Sequence, residues 1–169
     1  MNQNYIYPAM QFAMEAHKNQ VRKYTGEPYF KHLAEVAAIT ASVADWDSFP
    51  GGEMVAVAWL HDCIEDQDVT TKQLHVDFSW HIATGVLLLS DLEEGNRTTR
   101  KRLSCERLAA APGWVQTIKC ADLISNTSSI VLHDPEFAKV YLREKRDLLA
   151  VLDKADRRLW NIAKEMAGE

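Results

Sequence analysis

The stretch Leu148-Leu-Ala-Val-Leu152-Asp-Lys-Ala155-Asp-Arg-Arg-Leu159-Trp-Asn-Ile162-Ala-Lys-Glu-Met166 places Leu148, Leu152, Ala155, Leu159, Ile162 and Met166 at alternating intervals of four and three. Such intervals return to one side of a helix at every turn, so the stretch is predicted to bury one helical stripe. Outward from it, similar stripes run through Tyr5 to Lys18, Lys31 to Ala44, Glu53 to Cys63, Thr70 to Phe78, Trp80 to Leu89, Thr99 to Ala110 and Gly113 to Leu132. No segment alternates convincingly with period two, which makes the fold class all-α. The breaks between stripes carry turn residues: Gly26-Glu27-Pro28, Phe49-Pro50-Gly51-Gly52, Glu94-Gly95-Asn96, Pro112-Gly113 and Asp134-Pro135. Thr70 and Thr71 stand where a side chain can cap the following run, and Pro135 suits a first helical turn.

A chain of 169 residues with 47% hydrophobic content can bury one substantial core, and a single domain over residues 1–169 is expected. The net charge of −5, with both signs interspersed, gives no general attraction to nucleic acid or to an anionic membrane surface. Neither is expected as a partner, and any phosphate-binding patch must be local. Cys63, Cys105 and Cys120 form no CxxC pair and fit reduced thiols in a cytoplasmic protein. Met1 to Met10 lacks the basic start and apolar run of a secretory signal, and no uncharged run approaches the ~20 residues of a membrane span. Five tryptophans and an amphipathic last helix suit either a core or a subunit interface, which leaves the oligomeric state open.

Chemistry concentrates in Trp59-Leu60-His61-Asp62-Cys63-Ile64-Glu65-Asp66, where a histidine and three carboxylates end an otherwise apolar helix. Helical spacing brings His61 over Glu65 and Asp62 over Asp66, and the two rows could flank one ion. Asp122 interrupts a second well-patterned helix, sharing a polar stripe with Lys119 and Asn126. His32 opens a third after the Gly26–Pro28 turn. Two imidazoles and two carboxylates form a mixed nitrogen and oxygen set that suits Mn²⁺, Fe²⁺ or Zn²⁺ better than Mg²⁺ or a thiolate-rich structural zinc. Four protein ligands leave room for water only at higher coordination numbers, which favours an octahedral ion such as Mn²⁺. A His-Asp doublet alone more often marks a surface helix end, and Asp122 alone more often pairs with a cation such as Lys119.

Taken in order, Ala16-His17-Lys18-Asn19-Gln20-Val21-Arg22-Lys23-Tyr24-Thr25-Gly26-Glu27-Pro28-Tyr29-Phe30-Lys31-His32, the string Val57 to Asp66, and Lys119-Cys120-Ala121-Asp122 resemble the hydrolase half of RelA/SpoT proteins and its stand-alone relatives, the small alarmone hydrolases. The likeness runs from about Gln11 to Asn126. It implies an HD-domain helical bundle in which His32, His61, Asp62 and Asp122 bind Mn²⁺, with Fe²⁺, Co²⁺ and Zn²⁺ as alternatives. Glu65 and Asp66 match the acidic pair that orients and deprotonates the attacking water. Arg22, Lys23 and Asn126 match residues of the nucleotide site. The reaction so implied releases the 3′-pyrophosphate of guanosine penta- or tetraphosphate, the alarmone (p)ppGpp, leaving GTP or GDP.

The chain also departs from that family, with His32-Leu33 where relatives commonly have His-Pro. After Asp122 it carries Leu123, Ser125 and Ser128 where the family commonly has basic side chains. These substitutions keep two other readings open: an HD phosphohydrolase acting on another phosphorylated nucleotide or cofactor, and a non-catalytic nucleotide-binding module. Arg97, Arg100, Lys101 and Arg102, or Arg143, Lys145 and Arg146, could meet phosphates, although a solvated helix face explains such runs slightly better. Tyr141 could stack on a base or simply pack.

Overall fold

The computed structural model describes residues 4–168; Met1 to Gln3 and Glu169, the outer ends of the expected 1–169 domain and of the Met1–Met10 stretch, lie outside the described residues. Every regular element among those residues is a helix: α1 (Ile6–Ala16), α2 (Phe30–Ala41), α3 (Gly51–Leu60), α4 (Cys63–Asp66), α5 (Thr71–Asp77), α6 (Trp80–Leu89), α7 (Arg97–Ala110), α8 (Gly113–His133), α9 (Pro135–Leu149) and α10 (Arg157–Met166). The chain divides into two compact units, Met1–Ser90 and Asp91–Glu169.

In the first unit α3 is the central element, packed on α1, α2 and α6. Its sequence explains this position, because Met54, Val55, Ala56, Val57, Ala58 and Leu60 are all buried, and a helix that is apolar all round must be enclosed. Full burial of a residue such as Leu60 contributes roughly 1.5–3 kcal/mol. Between α1 and α2 the chain makes a short reversal. Val21 bridges Pro28, the Arg22 amide donates to the Glu27 carbonyl, and Gly26 takes the positive φ of 68° that the turn requires. The reversal delivers Tyr29 and then His32 to the first turn of α2.

The expected helix from Glu53 to Cys63 is not continuous. α3 ends at Leu60, His61 and Asp62 form a turn, and α4 restarts at Cys63. The His61 ring lies with Nδ1 2.8 Å from the Ala58 carbonyl, so the side chain satisfies an acceptor at the helix end. Thr70 caps α5 as its position foretold, accepting from the Gln73 amide, and Ser79 does the same for α6.

In the second unit α8 is central, packed on α7, α9 and α10. Asn96 and Asp134 cap α7 and α9, and Pro135 occupies the first turn of α9. The stripe from Leu148 to Met166 is likewise not one helix. The chain leaves helical geometry between Leu149 and Arg157, and Asp156 caps α10 by accepting from the Arg158 amide. Two side chains of α8 hold the connecting turn, Gln116 Oε1 accepting from the Lys154 amide at 2.8 Å and Thr117 Oγ1 from the Asp156 amide at 2.9 Å. None of the described helices is long and apolar enough to cross a membrane. All three cysteines are free thiols, with Cys63 and Cys120 buried and Cys105 half-buried.

Candidate metal centre

Within the first unit, residues from two segments converge on one carboxylate oxygen. Nε2 of His61 lies 3.1 Å from Asp62 Oδ2 and Nε2 of His32 lies 3.5 Å from it, while Tyr29 donates its hydroxyl hydrogen to the same atom at 2.7 Å. Both imidazoles are buried, with ring centres 5.2 Å apart. The carbonyl of Ala58 requires a proton of His61 on Nδ1, which leaves Nε2 facing Asp62. Burial works to raise the Asp62 carboxyl, but the charge of His61 and hydrogen bonds from both histidines outweigh it and hold the group well below the usual carboxylate range.

This donor set fits a divalent cation. Two imidazole nitrogens and a carboxylate oxygen gathered in a buried place match the preferences of Mn²⁺, Fe²⁺, Co²⁺ or Zn²⁺, and the Ala58 carbonyl and Tyr29 hydroxyl orient two of the ligating groups.

Around this group lies a network that sequence reasoning did not find. Gln20 Oε1 sits 2.6 Å from His17 Nδ1 and 2.6 Å from Gln67 Nε2, and Gln20 Nε2 donates to Asp66 Oδ2 at 2.8 Å. The His17 ring stacks on Tyr29 with centres 5.2 Å apart, and its Nε2 lies 3.6 Å from the Cys63 sulfur. Burial, with Asp62 and Asp66 nearby, pushes the Cys63 thiol up, so at neutral pH it keeps its proton and can donate to His17. The only advance signal was that His17, Gln20 and Tyr29 share the string preceding His32.

Of the remaining site residues in this unit, Glu65 and Asp66 are exposed on α4. Arg22 is largely covered, its Nη1 3.5 Å from Glu35 Oε2, and the exposed Lys23 places its ammonium over the Tyr24 ring.

In the second unit Asp122 is buried on α8. Its Oδ2 accepts from Lys119 Nζ at 2.9 Å and its Oδ1 from Asn126 Nδ2 at 2.6 Å, so the polar stripe read from the sequence is a bonded triad. Most of the basic runs have structural employment. Arg97 grips Glu144 with two hydrogen bonds of 2.7 Å, Lys101 pairs with Asp91, Arg102 with Glu106, and Arg146 donates to the Ala167 carbonyl. Lys145 is buried and donates to Thr127 Oγ1. Arg100 and Arg143 are exposed. Tyr141 has its hydroxyl 3.2 Å from Thr127 Oγ1, and burial pushes it up to about 12.

The model of the HD domain family matches residues 9–157. The chain is 30% identical over 155 residues to a probable guanosine-3′,5′-bis(diphosphate) 3′-pyrophosphohydrolase of Synechocystis sp., covering 87% of this chain and 19% of that protein. A GTP pyrophosphokinase of Brucella melitensis is 33% identical over 108 residues, covering 64% of this chain and 13% of its own. A guanosine-3′,5′-bis(diphosphate) 3′-pyrophosphohydrolase of Danio rerio is 29% identical over 132 residues, covering 78% of this chain and 72% of its own. The chain thus spans a fifth or less of the length of the first two relatives. Among solved structures, one described as a metazoan ortholog of SpoT that hydrolyzes ppGpp has a TM-score of 0.86 at 22% identity, covering 98% of this chain and 95% of that one. A Listeria monocytogenes protein has a TM-score of 0.68 at 18% identity, covering 87% of this chain and 100% of that one. Both share the helical fold. With the family model extending over nearly all of its length, through both the His61-Asp62 doublet and Asp122, the chain belongs to the HD domain family.

Proposed function

We propose that this chain is a divalent-cation-dependent phosphohydrolase that releases the 3′-pyrophosphate of guanosine penta- or tetraphosphate. The convergence of His61 Nε2 and His32 Nε2 on Asp62 Oδ2, built on the doublet that marks the HD family, carries the reading. The substrate class is supported by two relatives, each named as a pyrophosphohydrolase of guanosine-3′,5′-bis(diphosphate). In this reading His32, His61, Asp62 and Asp122 hold one ion, with Mn²⁺ the preferred occupant; each of the two histidines and Asp122 is buried and offers one donor atom. Residues 1–169 then act as one catalytic HD domain, a reading supported by a single family model that extends over both compact units. The three free thiols support a cytoplasmic setting.

When bound, such a cation supplies acidification of a coordinated water and neutralisation of charge on phosphoryl oxygens. The chain supplies the rest. Glu65 and Asp66, exposed on α4 just after the doublet, orient the attacking water and receive its proton. Arg22 meets the nucleotide with its guanidinium positioned by Glu35, Lys23 offers an exposed ammonium, and Asn126 holds the Asp122 carboxylate. The decisive experiment incubates the protein with Mn²⁺ and a panel of phosphorylated nucleotides that includes ppGpp, and identifies the products. Pyrophosphate and GDP are expected from ppGpp, with Asp62→Ala abolishing both bound metal and turnover. Turnover that persists in Asp62→Ala would refute the ligand assignment.

Leu123 and Ser125 are both buried on α8, so the segment after Asp122 offers no cation where alarmone hydrolases commonly carry one. That favours a different phosphorylated nucleotide or cofactor as substrate, and phosphate released only from other members of the panel would decide for it.

A further inference from the structure

We infer that Gln20 is a positioning residue for Asp66, with its amide locked by His17 and Gln67; this rests on the role given to Asp66 above. The orientation of the amide follows from its neighbours rather than from its own preference. Gln20 Oε1 lies 2.6 Å from both His17 Nδ1 and Gln67 Nε2, and the opposite end of the amide lies 2.8 Å from Asp66 Oδ2. A flipped amide would press its oxygen against the acceptor-only carboxylate of Asp66 and its NH₂ against that of Gln67, two repulsive contacts in place of two hydrogen bonds. The orientation this gives the amide makes His17 Nδ1 the donor to Gln20, while the other ring nitrogen lies 3.6 Å from the Cys63 sulfur.

The same frame reaches the metal group. His17 stacks on Tyr29 at an interplanar angle of 18°, and Tyr29 donates to Asp62 Oδ2. One connected set of side chains therefore holds both the carboxylate assigned to the metal and the carboxylate assigned to the water. An exposed carboxylate on a helix of four residues has little else to fix its rotamer, and catalysis is sensitive to misplacement of about 1 Å. Gln20 neither touches the ligating atoms nor needs to meet the substrate, so its effect is expected in turnover rather than in binding.

Gln20→Glu tests this with little change of shape, because the carboxylate still accepts from His17 and Gln67 but sets an oxygen and a negative charge against Asp66. The expected result is a kcat roughly 10- to 100-fold lower, a KM within about threefold of the parent and unchanged bound Mn²⁺. In an Asp66→Asn background, Gln20→Glu should cost less than about threefold further, since the residue acts through the group already altered. A readout without metal or substrate accompanies this: Gln20→Glu should lower the Tm of the metal-free protein, and Asp66→Asn should restore it. Gln67→Leu, which removes one of the two locks, should lower kcat by a few-fold. Equal losses from Gln20→Glu in both backgrounds, a change confined to KM, or no thermal rescue would each overturn the inference. If the unaltered protein turns over no nucleotide the catalytic reading falls and takes this role with it, whereas parental turnover combined with additivity overturns the positioning alone.

Discussion

At the scale of single residues, His61 shows how one hydrogen bond decides chemistry. Its Nδ1 is committed to the Ala58 carbonyl three residues back, so ending α3 and presenting Nε2 toward Asp62 are the same event. Lys145 poses the opposite case, a charged group enclosed and donating to the Thr127 hydroxyl. Burial pulls its ammonium down from the ordinary 10.5 to about 8, against the smaller opposing influence of Cys120 and Asp122. Because the folded value is the lower one, the unfolded chain binds more protons between about pH 8 and 10.5, and stability contributed by this group rises with pH across that window. Lys145→Met should therefore stabilise the protein at pH 7, by up to about 3 kcal/mol, and should flatten the rise between pH 8 and 10.5. Urea unfolding of both proteins at pH 7 and pH 10 checks it, and parallel pH profiles would count against the assignment.

At the scale of elements, the helices were readable because their apolar periods show and half of those described keep a side-chain cap, as Thr70 and Asn96 illustrate, while Pro135 opens α9. Two breaks were not readable. Leu152 and Ala155 are as buried in the turn between α9 and α10 as they would be on a helix, so the apolar period runs through a connection that is not helical. The break at His61 depends on a side chain competing for a carbonyl, which periodicity does not register. The turn after α9 also explains Gly113, whose added Cβ would lie 2.5 Å from the Lys154 carbonyl oxygen. Helix propensity alone favours alanine there by up to ~1 kcal/mol. The clash is with backbone held by Gln116, which cannot rotate away, so it should win. Gly113→Ala is expected to lower the Tm by several degrees, a net loss of roughly 1–3 kcal/mol, and a rise in Tm would show that the turn yields.

At the scale of the whole molecule, the site was legible only in part because its components are far apart in the chain. The doublet His61-Asp62 stands out locally, whereas Tyr29 and Asp62 are separated by 33 positions and His17 and Gln67 by 50, distances at which spacing carries no information. Asp122 could be tied to the histidines through family pattern alone, and its immediate neighbours Lys119 and Asn126 would serve an ordinary buried ion pair equally well. A thermodynamic consequence separates those alternatives. A ligand that binds only the folded state stabilises by RT ln(1 + [L]/Kd), about 2.7 kcal/mol at a hundredfold excess over Kd, or roughly 5–10 °C in Tm for a chain of this size. Mn²⁺ should raise the Tm of the chelator-treated protein by that amount. If Asp122 belongs to the ligand set, Asp122→Ala should lose most of the metal-induced rise, a difference read against its own metal-free Tm, which falls because Lys119 loses its partner in a largely buried setting. Asp62→Ala should lose the rise as well. Should Asp122→Ala retain the full increment while Asp62→Ala loses it, the ion would be held by residues 1–90 alone, and Asp122 would revert to the role of a partner for Lys119.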